Sequence, residues 1–176
     1  MLLSVCFSRL TGEYVTDLVH LYGLARAGYV PELFSLKFSL PGQAVVRDLL
    51  RECNGKALIY DAHFAALVDE IDLPKHTLVD IDIQDLSHDT AASSSLRPLP
   101  TVSEEDVAII FHTSGTTGGR PKPVPQSHKW CKTHSMVCWK GIWQGDFDTP
   151  DVVNNIGSFA HMGASTCTVL FNAPAM

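Results

Sequence analysis

Short apolar runs alternate with stretches of helical periodicity along most of this chain, and that alternation constrains the fold more than any other feature. Residues 13–30, EYVTDLVHLYGLARAGYV, place Val15, Leu18, Val19, Leu21, Tyr22, Leu24 and Ala25 at helical spacing, and Gly28 ends the pattern. YVPELF follows as a short strand interrupted by Pro31. SLPGQAVVRDLLREC reads as a second helix, begun at Ser39 to Gly42, with Val45, Leu49 and Leu50 on its apolar face. Asn54-Gly55 is the stop that such a helix takes. KALIYD is a continuous apolar strand of the kind buried in parallel sheets. AHFAALVDEI reads as a third, shorter helix, HTLVDID as another strand, and VAIIFHT as the next. Strands alternating with helices predict an α/β fold with mainly parallel sheet layers and flanking helices. With 176 residues the chain holds one domain or a little more, and residues 87–106, rich in Ser, Pro and Ala, read as a surface linker.

Composition narrows the functions. Apolar residues make up 45% of the chain, enough for a packed core. The net charge of −6, without a basic patch or arginine run, argues against nucleic acid as a partner. The five cysteines Cys6, Cys53, Cys131, Cys138 and Cys167 include no CxxC pair, as expected for reduced thiols in a cytoplasmic protein. The opening MLLSVCFSRL lacks a basic n-region and a small-residue cleavage site, so it reads as a cut core strand rather than a signal peptide. No apolar run approaches membrane-span length, and no membrane partner is expected.

The stretch IIFHTSGTTGGRPKPVPQSH, residues 109–128, carries the chemistry. A buried strand runs into a loop of glycines and hydroxyls, then an arginine, a lysine and three prolines. A turn of this composition aims backbone N–H groups and hydroxyls at one point, which suits phosphate oxygens. Thr113, Ser114, Thr116 and Thr117 offer hydroxyls, Gly115, Gly118 and Gly119 allow close approach, and Lys122 adds a charge. It is not a Walker loop, because Lys122 stands between Pro121 and Pro123, where no helix starts cleanly. The dinucleotide spacing G-x-G-x-x-G is absent as well. The competing reading is a plain flexible surface loop. SHKWCKTHSMVCWKGIW continues as a helix with Ser127 as its N-cap. The final VVNNIGSFAHMGASTCTVLFNAPAM reads as a strand, a glycine turn and the start of another helix.

TSGTTGGRPKPV resembles the phosphate-binding signature of the adenylate-forming superfamily: acyl-CoA synthetases, luciferases and the adenylation domains of non-ribosomal peptide synthetases. Thr113 to Gly118, Pro121-Lys122, Val124 and Ser127-His128 fit that signature. GLARAGYVPELFSLKFSLPGQAVVRDLLRECNGKALIY is similar to the family's preceding segment, and FAHMG at 159–163 to its acyl-pocket motif. In style the loop is closest to fungal synthetase-like enzymes. The resemblance covers nearly the whole chain, which would be a partial, N-terminal AMP-binding domain over 1–176. It implies that Thr113, Ser114, Gly115, Thr116, Thr117, Gly118 and Lys122 hold the β- and γ-phosphates of ATP, with Mg²⁺ as the accompanying ion. His161 and Gly163 would line the carboxylate pocket. The implied reaction is attack of a carboxylate on the α-phosphate to give an acyl-adenylate and pyrophosphate, as an ATP-dependent ligase of secondary metabolism. The implied partners are a carboxylic acid and either a carrier domain or the missing part of the adenylation domain.

Departures from the signature set the expectations that follow. Gly119-Arg120 replaces a single position, which puts the reach of Lys122 in question. Ala160 stands where many members keep an aromatic residue, and no aspartate is present to hold an α-amine. The missing aspartate tilts the substrate toward a plain aryl, acyl or keto acid. The ribose-binding run, the hinge and the late catalytic lysine have no counterpart here, so no catalytic residue is assigned and little or no turnover is expected. The alternative is a non-catalytic remnant or phosphate-binding module. His128, Cys131, His134 and Cys138 share one helix, but structural zinc usually recruits ligands from two elements, so core packing is expected and no metal. Asp80, Asp82 and Asp85 lack the glycine and terminal glutamate of a calcium loop. Trp130, Trp139 and Trp143 read as packing anchors.

Overall fold

The computed structural model describes residues 4–5, 14–35, 43–78, 98–115, 119–142 and 161–162. In chain order the elements are β1 (Ser4–Val5), α1 (Tyr14–Arg26), β2 (Val30–Pro31), α2 (Gln43–Glu52) and β3 (Leu58–Tyr60). A 3-10 turn (Ala62–Phe64), α3 (Ala65–Val68), β4 (Lys75–Thr77), β5 (Val107–His112), β6 (Pro123–Ser127) and α4 (His128–Ile142) complete them. Both helix stops expected from sequence are Schellman turns. After α1, Tyr29 N–H donates to Leu24 O and Gly28 N–H to Ala25 O. After α2, Gly55 N–H donates to Leu50 O and Asn54 N–H to Arg51 O. Asn54 takes the left-handed φ of 55° there. Gly55 is needed for space, since a Cβ on it would lie 2.8 Å from Leu50 Cδ2.

β1 pairs with β2 in parallel, Ser4 opposite Val30 and Val5 opposite Pro31. β3 and β4 also pair in parallel, Leu58 opposite Lys75 and Tyr60 opposite Thr77. A parallel bridge between Glu32 and Ile110 ties the end of β2 to β5. The expected α/β layering is present. Extended segments send successive side chains to opposite faces, and the core divides accordingly. Phe34 joins Val46, Leu49, Leu50, Leu58, Val68 and Ile71 on one face. Leu33, its neighbour in sequence, joins Leu21, Ile109 and Phe111 on the other.

One element departs from the expected order. Residues 123–127 fold as a strand, β6, antiparallel to β5, where a loop leading directly to the helix was expected. Pro123 and Pro125 are unusual inside a strand, because proline gives no N–H to a ladder. The register resolves this. Thr113 N–H donates to Lys122 O at 3.0 Å, so that pair is a hydrogen-bonded one. Antiparallel pairs alternate, which puts His112–Pro123 and Ile110–Pro125 at positions that need no N–H from the proline. Ile110 O is turned the other way, toward β2, and accepts from Leu33 N–H at 3.1 Å. Ser127 caps α4 as expected, its Oγ accepting from Trp130 N–H at 3.1 Å. Residues 98–106 carry no regular element, and residues 87–97 of the expected linker lie outside the described ones. Asp80, Asp82, Asp85 and the run from 143, apart from 161–162, lie outside them too.

Candidate functional site

The hydroxyl- and glycine-rich loop, residues 113–122, is the connection of the β5–β6 hairpin. Its base is closed in both directions. Besides the Thr113 N–H to Lys122 O bond, Lys122 N–H donates to Thr113 Oγ1 at 3.0 Å. A second bond crosses the loop higher up, from Gly119 N–H to Gly115 O at 2.7 Å. Gly115 has φ +72°, and a Cβ on it would meet the Arg120 and Pro121 backbone at 3.0 Å, so no other residue fits without rearrangement. Gly119-Arg120 lies between these bonded residues, and the Lys122 backbone stays tied to Thr113.

Thr113, Ser114 and Lys122 are exposed, with Gly115 partly covered at the turn, so the loop presents hydroxyls and an ammonium outward from a fixed root. Thr116, Thr117 and Gly118, assigned to the same role by sequence, lie outside the described residues. Arg120 reaches back to α2, with Nη2 3.5 Å from Glu52 Oε2 and 4.0 Å from Asp48 Oδ2. These are exposed, long contacts that contribute little to stability.

Of the pocket motif, His161 is described and exposed, while Gly163 is outside the described residues. The neighbouring Met162 Sδ lies 3.9 Å from Gln126 Nε2 on β6. Gln126 is on the strand that leaves the glycine- and hydroxyl-rich loop at Lys122, about 14 Å along at the usual ~3.4 Å rise per residue. Met162, distant in sequence from the loop, is thus placed beside β6.

Sequence reasoning missed a polar centre beneath the loop. Glu32 and His112 are a buried pair, with side chains 0% and 1% exposed and Nε2 to Oε1 at 2.9 Å. His112 Nδ1 lies 3.0 Å from Leu33 O, an acceptor only, so that nitrogen carries a proton and donates. Phe34 stacks on the imidazole, ring centroids 5.1 Å apart. Glu32 Oε2 is buried with no hydrogen-bond partner among the described residues. Cys53 adjoins the pair, its thiol pushed far above the usual range by burial and then by the charge of Glu32 and hydrogen bonding to it. A glutamate in the apolar run VPELF was the available signal. Of the helix residues weighed as zinc ligands, His134 stacks on Trp130 at 4.7 Å and Cys131 packs against the Leu21–Phe111 cluster. Among the described residues no set of three or more His, Cys, Asp or Glu converges as a metal site, and no helix is long and apolar enough to cross a membrane.

A family model described as AMP-binding enzyme matches residues 15–173. The chain belongs to the AMP-binding enzyme family. It is 30% identical over 152 residues to the AMP-binding domain-containing enzyme iboA of Amanita muscaria, a match covering 84% of this chain and 29% of that protein. It is 33% identical over 103 residues to an L-proline–[L-prolyl-carrier protein] ligase of Streptomyces coelicolor, covering 49% of this chain and 19% of that one. ATP-bound MatB from Rhodopseudomonas palustris superposes with a TM-score of 0.71 at 22% identity, covering 96% of this chain and 33% of MatB. The fold is therefore the adenylate-forming one, and this AMP-binding family member spans about a third or less of the length of the relatives it matches.

Proposed function

We propose that this chain carries the triphosphate-handling part of an enzyme that activates a carboxylic acid as its acyl-adenylate, in secondary metabolism. One observation carries the reading. In a member of the AMP-binding family, an outward-facing hydroxyl and lysine loop is closed at its base by the Thr113–Lys122 bonds. Thr113 and Ser114 hydroxyls and the Lys122 ammonium would contact the β- and γ-phosphates, and Gly115 would let the backbone come close. The donor set fits, since all three are donors to phosphate oxygens and no carboxylate of the loop opposes them. Mg²⁺ would ride on the nucleotide's own phosphate oxygens. When bound, ATP supplies the electrophilic α-phosphorus and the pyrophosphate leaving group. The chain's part is to position and neutralise that leaving group, a mode of catalysis that needs no covalent chemistry from the loop. His161, joined through Met162 to β6, would stand on the acid's side. A plain acid is favoured over an amino acid because 159–163 offers no carboxylate for an α-amine.

The test is ATP–pyrophosphate exchange over a panel of aryl, acyl, keto and amino acids, with calorimetric titration of pyrophosphate alongside. Pyrophosphate binding that is lost in Lys122→Ala supports the reading, and no binding by the unaltered chain would overturn it. A second reading is a binding module without turnover. That module reading predicts pyrophosphate binding without exchange. Robust exchange that disappears in Lys122→Ala would sink it.

A further inference from the structure

The loop's root is held by something other than its own hydrogen bonds. Among the described residues the seam between β2 and β5 is short: a parallel bridge joins Glu32 to Ile110, and Leu33 N–H donates to Ile110 O. A seam this short leaves much of its register to side chains. In the parallel register set by Glu32 opposite Ile110, Phe34 falls opposite His112, and all four side chains belong to one face. On that face His112 stacks on Phe34, bonds Glu32 through Nε2 and donates to Leu33 O through Nδ1. His112 is the last residue of β5, and Thr113, the root of the loop, is next.

We infer that the buried Glu32–His112 pair is a positioning device for the loop, fixing the register in which β5 delivers Thr113, and through it Lys122, to the phosphate-facing side. The functional half of this inference rests on the triphosphate reading above. Apolar side chains would hold β2 and β5 together at least as well, because a buried polar pair surrenders much of its attraction to desolvation. What the pair adds is discrimination. A slip of one residue would turn His112 to the opposite face, into the Leu21, Leu33 and Phe111 cluster, with both ring nitrogens unpaired. With Nδ1 donating to Leu33 O, the contact between Nε2 and Oε1 holds a single proton, whichever partner owns it. Glutamine at position 32 can supply that proton from its amide, and leucine cannot.

The test is amide-resolved hydrogen exchange at Thr113 and Lys122 in the 176-residue chain, with pyrophosphate affinity measured on the same samples. Glu32→Leu is expected to speed exchange at both amides, and to weaken pyrophosphate binding, about tenfold or more, the scale of one buried polar group left unpaired. Leu58 N–H, bonded to Pro74 O on the β3–β4 pair, should keep its protection. Glu32→Gln should restore loop protection and affinity to within about threefold of the unaltered chain, a factor well under that tenfold loss. The double variant Glu32→Leu/His112→Phe removes the pair without leaving a charge behind. It should stay folded with its unfolding midpoint held, and still lose loop protection. Unchanged exchange at Thr113 and Lys122 in Glu32→Leu and in the double variant would overturn the inference. So would a uniform loss that includes Leu58 and is not rescued by glutamine, since that is the mark of plain core destabilisation. Absence of pyrophosphate binding in the unaltered chain strikes the triphosphate reading alone, and the exchange arm then decides the positioning role.

Discussion

Cys131 packs half-buried on α4 against the cluster of Leu21, Leu33, Ile109 and Phe111. Burial pushes its thiol up to about 11 from the ordinary 9.0. The neutral thiol is favoured in the folded state, so the unfolded chain loses this proton first as pH rises. The associated stability is complete below pH 9.0 and is lost through about 11. Iodoacetamide labelling at pH 8 should therefore be far slower at Cys131 in the folded chain than in urea, with the folded rate climbing toward pH 11. Equal rates in the two states would show an open thiol. At Gly55 the constraint is space: an alanine Cβ would lie 2.8 Å from Leu50 Cδ2 and 3.2 Å from Leu50 O, in the most buried part of the core. Gly55→Ala is expected to lower the urea-unfolding free energy by about 1–3 kcal/mol, the range for forced overpacking. Sequence marked this position correctly as a helix stop. It could not show that Asn54 takes the left-handed turn while Gly55 makes room for Leu50.

Among the elements, β6 shows best how local chemistry and tertiary pairing divide the work. PKPVP holds three prolines, and the chain still forms a strand there because the ladder with β5 asks no N–H of Pro123 and Pro125. Val124, opposite Phe111, falls at the position whose N–H the ladder uses. Val124→Pro should then cost about 1–3 kcal/mol in equilibrium unfolding, the cost of leaving a strand hydrogen bond unmade. Pro125→Val should change little. Equal effects at the two positions would mean that the register is different. The helices were more legible. α1, α2 and α4 follow from apolar spacing plus their stops and caps, signals carried within a turn or two of chain. The polar seam between β2 and β5 was illegible, because Glu32 and His112 are separated by 80 residues and neither belongs to a local pattern.

For the whole molecule, the functional reading makes a thermodynamic demand. A ligand that binds only the folded chain raises its stability with concentration, by about 2.7 kcal/mol at a hundred times its Kd. Tm should climb with added pyrophosphate and stay flat for Lys122→Ala, measured by scanning fluorimetry at constant ionic strength. A parallel climb in both would point to a general anion effect. What the sequence by itself determined was the α/β class, the glycine- and hydroxyl-rich loop and the family resemblance, because each lies in short-range pattern: periodicity, turn residues and a contiguous motif. Tertiary structure alone decided where the loop is anchored. It paired β6 antiparallel with β5, closed the loop at Thr113 and Lys122, placed Met162 beside Gln126, and placed a buried Glu32–His112 pair beneath the root. The physical reason is common to all of these. Each depends on which backbone and side-chain groups remain to be paired once distant segments meet, and no stretch of sequence specifies its distant partner.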